Sequence, residues 1–338
     1  MSVGVALVGN GFMASTHADA YAALGDRVDV RYVIGRRSER AAELAERVGA
    51  QATDDLHEAL ADEQVVAVDV CVPTDLHRQV SVAALEAGKH VLLEKPIALD
   101  LDDADAIIAA AQGSSGILLV GLVLRFWPEY VALQREVAQG AIGSPRVFAA
   151  SRLSPPADWN TWMSDVSRSG GVVVDLLPHD IDQAVGLLGP VASVTARGAA
   201  DGSYATLTLD HSDGGVSTIE GSMAMSRSYP FSSSARVDGS LGTAEYVFSV
   251  GAAVEGGNLG EASVPTGLQL YLDPDQVRSV EVQPADPFGA EIEAFVTAVE
   301  RGEQPEVATA AQARHALAIS LAAMRSMANG GQREPVTG

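Results

Sequence analysis

The apolar run Val3–Val8 leads straight into Gly9-Asn10-Gly11-Phe12-Met13-Ala14, and the helix-forming stretch Met13–Leu24 follows at once. A strand that turns this sharply into a helix leaves few folds open. Gly9 permits the tight turn, Gly11 leaves the backbone bare for a ligand to approach, and Ala14 is small enough for the helix to pack on the strand. The free N–H groups and positive dipole end of the helix then form an anion site. This is the pattern of a dinucleotide-binding turn, with Gly9, Gly11, Phe12 and Met13 as candidate cofactor contacts. The plainer reading is a turn that only needs glycine.

The rest of the first third alternates strands and helices. Val28–Ile34 reads as a strand and Ser38–Val48 as a helix. Val65–Val72 is nearly all apolar, as a strand buried on both faces must be. Leu76–Ala87 is helical, His90–Leu93 a strand, Asp102–Ala111 a helix and Ile117–Leu122 a strand. Strand–helix alternation with short links predicts a doubly wound parallel sheet, a Rossmann α/β domain, over residues 1–122. From residue 123 the pattern changes. Helices Pro128–Gln139 and Asp180–Leu188 flank the strand Arg146–Ser151, and Val191–Val282 is alternating strand material broken by Gly, Ser and Asp. Two helical stretches, Gly289–Arg301 and Thr309–Ala328, close the chain. Residues 123–330 therefore read as an α+β domain on a large, mostly antiparallel open sheet. A length of 338 residues suits two domains.

Composition narrows the function. Asp plus Glu number 44 against 22 Lys plus Arg, a formal charge of −22. Such a surface repels phosphate backbones and anionic lipid, so neither nucleic acid nor a membrane is the expected partner. The one cysteine, Cys71, fits a reducing compartment, and no secretory or membrane-spanning segment stands out, so a cytoplasmic protein is expected. The seven histidines are scattered without ligand spacing, and no metal is expected.

Three further sites could carry chemistry. The second strand ends in Ile34-Gly35-Arg36-Arg37, where an NAD enzyme usually has a carboxylate for the ribose 2′-hydroxyl. Gly35 removes that charge, and Arg36 and Arg37 supply forked donors suited to a 2′-phosphate. NADP(H) is favoured, with NAD(H) as the alternative; the competing reading makes the arginines solvated helix-start residues. Lys95 in Glu94-Lys95-Pro96 follows the strand His90–Leu93, at the end of the sheet where ligands bind. An ammonium there can stabilise an alkoxide. The third site is Asp175-Leu176-Leu177-Pro178-His179-Asp180-Ile181-Asp182. A helix starting near Pro178 puts His179 in its first turn with Asp175 just before it, and His179 is a natural general base. N-capping and a surface histidine would explain the same residues.

Taken together these segments resemble the Gfo/Idh/MocA family of NAD(P)-dependent oxidoreductases, along nearly the whole chain. The N-terminal turn followed by His17 is similar to the family signature. Pro73-Thr74-Asp75-Leu76-His77 is similar to the loop after its fourth strand, although Val72 stands where Thr is common. Ala84–Val91 leading to Glu94-Lys95-Pro96 is the most specific stretch. Arg125-Phe126-Trp127-Pro128, Gly140–Gly143, and Gly170-Gly171 with Asp175, His179 and Asp182 complete the order.

The resemblance implies a hydride transfer between nicotinamide C4 and a secondary hydroxyl or ketone of a sugar, cyclitol or related polyol. It gives Lys95, Asp175 and His179 as the catalytic set: His179 as base, Lys95 steadying the oxyanion, Asp175 orienting both. It adds Pro73, His77, Glu94 and Lys95 to the cofactor contacts, a cis Lys95–Pro96 bond, and a homodimer or homotetramer formed through the C-terminal sheet. Arg125, Trp159, Trp162 and Asp182 are candidate substrate contacts. The inositol dehydrogenase branch is the most similar in style, yet Gly35 replaces its expected Asp and Leu177-Pro178 alters the turn before His179. Two other readings belong to other classes: a non-catalytic nucleotide-binding sensor, and a glycosidase that retains its NAD.

Overall fold

The computed structural model describes residues 2–36, 38–156, 162–250 and 267–337. Arg37 and Trp159 lie outside the described residues. The chain begins β1 (Val3–Val8), α1 (Phe12–Ala23), β2 (Val28–Ile34), α2 (Ser38–Val48), β3 (Gln51–Thr53), α3 (Leu56–Ala61), β4 (Ala67–Val70), α4 (His77–Glu86), β5 (His90–Leu93), α5 (Leu101–Gln112) and β6 (Leu118–Val120). It continues with α6 (Pro128–Ala138), β7 (Pro145–Leu153), α7 (Val166–Ser169), α8 (Gly171–Asp175), α9 (Pro178–Leu188), β8 (Val191–Gly198), β9 (Tyr204–His211) and β10 (Val216–Ser222). The remainder is β11 (Ser232–Gly239), β12 (Gly242–Ser249), β13 (Gly267–Leu272), β14 (Gln276–Val280), α10 (Pro287–Arg301), α11 (Ala310–Ala328) and β15 (Glu334–Pro335).

Two compact units result. The first comprises Met1–Phe126 with Ala285–Arg314, the second Trp127–Pro284 with His315–Gly338. The sequence places the division at 122/123 and gives the whole remainder to the second domain; in the structure the segment carrying α10 belongs to the first unit. An amphipathic helix shows in sequence that it has an apolar face, here Ile292, Phe295 and Val296, all fully buried. It does not show which surface receives that face. In the fold α10 packs on α1, and Arg27 forks to Glu293 at 2.9 Å and Glu300 at 2.8 Å.

The sheet of the first unit has the order β3-β2-β1-β4-β5-β6, and every pair in it is parallel. All six residues of β1 and all four of β4 are buried, because the crossover helices cover both faces of the central strands. The order reverses between β1 and β4, which is where open sheets of this kind bind ligands. The sequence reading passes over β3 and α3. β3 is a three-residue edge strand with no buried residue, too short and too polar to show a period. α3 declares itself instead by its cap, the Asp55 carboxylate accepting the His57 backbone N–H at 2.9 Å.

The second unit is built on a sheet of order β14-β13-β12-β11-β7-β10-β9-β8-β15. Its pairs are antiparallel except β7 with β10, which run parallel. Side chains alternate in and out along β9 and β11, as a sheet with one covered face requires. Helix α9 packs on β7 and β10, and α6 on β12 and β13, over a core that includes Phe148, Leu207, Ile219 and Val237.

Candidate active site

The turn between β1 and α1 has the properties that a pyrophosphate needs. Gly9 has φ of 132°, a conformation that L side chains rarely adopt. A Cβ there would also lie 2.4 Å from the carbonyl oxygen of Cys71. Gly11 is the opposite case, since a Cβ on it would meet nothing within 4 Å. That open space lies at the N-terminus of α1, which has no side-chain cap and no acidic residue in its first turn. The first N–H groups of the helix are thus left for a ligand, with no carboxylate to repel phosphate. Ala14 is fully buried, as helix–strand packing demands, and Phe12 and Met13 are half-buried beside the opening.

At the end of β2, Gly35 packs against Asn10 of the same turn. A Cβ on Gly35 would come within 2.5 Å of Asn10 Nδ2, so any side chain there would have to displace the Asn10 side chain. Arg36 beside it is exposed.

Lys95 follows β5 at the carboxyl end of the same sheet and is half-buried; the Lys95–Pro96 peptide is cis. The Glu94 carboxylate accepts the Lys95 backbone N–H through Oε2 at 3.1 Å. Pro73 is half-buried at the start of the loop after β4. His77 is buried, with Nδ1 2.8 Å from the Pro96 carbonyl and Nε2 3.0 Å from the Val72 carbonyl. Burial holds its pKa below the ordinary value against the pull of those carbonyls. Its ring thus sits between two loops, with a carbonyl oxygen facing each nitrogen. The chain has two lysines, Lys89 and Lys95. Lys89 is structural: its ammonium donates to the carbonyls of Asp62 at 3.0 Å and Val65 at 2.7 Å. Arg125 ends a short 3-10 turn, Val123–Arg125, and is half-buried.

In the second unit Asp175 is the last residue of α8 and is buried, while α9 starts at Pro178, which puts His179 in its first turn, half-buried. Asp180 and Asp182 are buried on the same helix. The Asp180 carboxylate takes a bidentate pair from Arg152 of β7, Nε at 2.8 Å and a terminal nitrogen at 2.9 Å. Burial opposes the charge of Arg152, but Asp180 and Tyr130 more than offset it and raise its pKa. This pair ties the first turn of α9 to the sheet and so fixes the backbone at His179. Trp162 is half-buried.

Sequence reading missed a buried polar group in the first unit. His17 of α1 lies between Asp69 of β4, with Nδ1 to Oδ2 2.8 Å, and Glu94, with Nε2 to Oε1 3.2 Å. Burial disfavours its charge, yet Asp69 and Cys71 hold its pKa well above the ordinary value. For Glu94 burial likewise opposes ionisation, and His17 with Lys95 prevails, holding its pKa down. The ligating atoms of His17, Asp69 and Cys71, and those of His17, Glu94 and Glu291, each fall within 4.8 Å of one another. No local spacing could announce this, since the residues come from four distant segments. The available signal was Asp69 itself, a carboxylate inside an otherwise apolar strand.

A glycine turn before an uncapped helix at the switch point of a parallel sheet, with a lysine at the end of a nearby strand, fits a nicotinamide-dependent oxidoreductase of the Rossmann class. Residues 3–122 match the oxidoreductase family with NAD-binding Rossmann fold, and residues 130–245 match the GFO/IDH/MocA C-terminal domain. The chain belongs to the Gfo/Idh/MocA family and resembles its inositol dehydrogenase branch. It is 30% identical to the inositol 2-dehydrogenase of Rhizobium meliloti over 347 residues, covering 97% of this chain and 98% of that protein. It is 32% identical to the levoglucosan dehydrogenase of Pseudarthrobacter phenanthrenivorans over 211 residues, 58% of this chain and 53% of that protein. A solved structure of levoglucosan dehydrogenase in complex with NADH and levoglucosan shares the fold, with a TM-score of 0.84 at 23% identity over 100% of both chains. Among the described residues no helix is long and apolar enough to cross a membrane.

Proposed function

We propose that this protein oxidises or reduces a secondary hydroxyl or ketone of a sugar, cyclitol or related polyol, using NADP(H) in preference to NAD(H). The observation that carries the reading is the placement of two features at the carboxyl end of one parallel sheet. One is the open, uncapped α1 N-terminus behind Gly9 and Gly11; the other is Lys95 after β5. Gly11, Phe12 and Met13 would hold the pyrophosphate, and Gly35 with Arg36 would receive a 2′-phosphate. The nicotinamide would accept or supply the hydride.

The protein's own part is proton management and positioning. His179 accepts the substrate hydroxyl proton, Lys95 donates to the oxygen as negative charge develops there, and Asp175 orients the pair. The polyol class rests on the named substrates of relatives, an inositol and an anhydrosugar. Arg125, Trp162 and Asp182 are the proposed substrate contacts.

The same reading makes the protein a cytoplasmic dimer or tetramer joined through the sheet of the second unit. Supporting it, Tyr271 and Val277 sit opposite each other on β13 and β14 and are 43% and 64% exposed. Sedimentation of the purified protein would test this, and a monomer at micromolar concentration would refute it.

Calorimetric titration with NADPH and NADH tests the cofactor. Tighter NADPH binding supports the role given to Gly35 and Arg36, and binding of neither would sink the proposal. A screen of inositols and anhydrosugars, read by reduced-nicotinamide absorbance, then tests the reaction. Lys95→Met and His179→Ala should each lower turnover by about 100-fold or more with the fold intact.

A further inference from the structure

Three elements of the first unit bring buried donor atoms to one point. His17 of α1 and Glu291 of α10 are wholly buried, and Glu94, just after β5, is 7% exposed. One ligating atom of each lies within 4.8 Å of the other two. The atoms gathered there lack partners: His17 Nε2 and both carboxyl oxygens of Glu291 make no hydrogen bond among the described residues. The hydroxyl of Tyr21, buried on the same helix as His17, makes none either. The three residues come from distant segments, which is why the scattered histidines show no ligand spacing in the sequence.

The other side of His17 is different. Its Nδ1 with Asp69 and Cys71 also forms a close group, but those atoms satisfy one another. Nδ1 is 2.8 Å from Asp69 Oδ2, and the Cys71 thiol donates to Asp69 Oδ1 at 3.3 Å. A carboxylate on Nδ1 selects the tautomer whose Nε2 carries a lone pair, the way a metal-ligating histidine is usually held. That lone pair meets Glu94 Oε1 at 3.2 Å and the Glu291 carboxylate beyond it. Two donors on one tetrahedral ion, with bonds of about 2.0–2.1 Å, stand about 3.3 Å apart. Acceptors facing one another in a closed space need something positive between them. A buried water could donate to only two of these atoms, and it brings no charge to set against two carboxylates.

We propose that His17, Glu94 and Glu291 form a structural site for one divalent transition-metal ion of the zinc type, joining α1, the end of β5 and α10. Imidazole together with carboxylates suits such an ion, whereas magnesium and calcium favour oxygen donors alone. Glu291 has both oxygens to offer, so with His17 and Glu94 it supplies the four donor atoms of a closed site. Asp69 is then the outer partner that orients the histidine. The site is independent of the hydride transfer proposed above. In the metal-free chain protons stand in for the ion. The His17 pKa is held well up against its burial by Asp69 and Cys71, and that of Glu291 by burial and the charge of Glu94.

The test uses the full chain, produced in zinc-supplemented medium and dialysed against EDTA to strip ions from its acidic surface. Burial of all three ligands keeps the bound ion from the chelator. Plasma mass spectrometry should find about one zinc per chain in the wild type and none in Glu291→Gln, which keeps the shape of the side chain. Protein produced with cobalt(II) instead should show visible ligand-field bands without the near-ultraviolet charge-transfer band of a cobalt–thiolate bond. Wild type free of zinc would overturn the proposal, and that measurement needs no variant. So would zinc retained in full by Glu291→Gln, or a cobalt–thiolate band, which would move the ion to Cys71 on the other side of the ring.

Discussion

Gly35, the residue after β2, lies so close to the side chain of Asn10 that a Cβ on it would come within 2.5 Å of the amide nitrogen. The residue proposed to set nucleotide choice is therefore coupled to the turn proposed to hold the pyrophosphate. Gly35→Ala should displace Asn10 and weaken NADPH and NADH alike. Gly35→Asp should add a charge penalty for the 2′-phosphate, costing NADPH about tenfold more affinity than NADH. Calorimetry on both variants separates the steric part from the electrostatic part.

The two glycines of the turn should respond in opposite ways. Gly9→Ala forces a side chain into positive φ and against the Cys71 carbonyl, so the melting temperature should fall, with a loss of about 2 kcal/mol or more. Gly11→Ala meets nothing in the protein, so its melting temperature should be unchanged while cofactor affinity drops about tenfold.

The lysines divide in the same manner. Lys89→Met abandons two backbone carbonyls and should cost about 2 kcal/mol of stability, with turnover per folded molecule unchanged. Lys95→Met should keep the melting temperature and lose turnover. Thermal denaturation and kinetics on the same two samples decide the matter.

Arg152→Met leaves Asp180 charged and unpaired in the core beneath α9. The expected loss is about 3–5 kcal/mol, read by chemical denaturation. Arg152→Lys should recover only part of it, because an ammonium cannot form both bonds of the fork. Tyr130, whose hydroxyl is 3.4 Å from Arg152 and whose pKa is pushed up to about 12 chiefly by burial, should titrate at a different pH in either variant.

Stability should depend on pH with a sign set by the buried group. In the metal-free chain Glu291 has a folded pKa raised above its ordinary 4.5, so the native state binds the extra proton. Its contribution is complete below about pH 4.5 and is lost as pH rises through the folded value. His17, also raised from 6.5, acts in the same direction at higher pH. Glu94 is lowered and acts in the opposite sense, losing its contribution as pH falls through its folded value. The wild type should thus lose stability as pH rises above about 5, and Glu291→Gln should flatten that slope in calorimetric scans.

Much of this protein was legible one residue after another. The strand–turn–helix at Val3–Ala23, the alternation to β6, the broken strands of the second unit and the start of α9 at Pro178 are all local patterns, set by side-chain period, glycine and proline. The sequence also singled out Lys95, Asp175 and His179, whose grouping as one set came from the family resemblance. It could not show that His77 braces two loops, because that follows from carbonyls at Val72 and Pro96 converging on one ring.

Tertiary structure alone decided the rest. α10 carries its apolar face back to the first unit, and with it Glu291 arrives beside His17 and Glu94, residues roughly 200 positions or more away in the chain. Periodicity records that a face will be buried, whereas the partner of that face is chosen by shape and by the cost of stranding a charge. Local interactions determined the elements and the turn for the cofactor; the low dielectric of the assembled core determined which buried groups are charged.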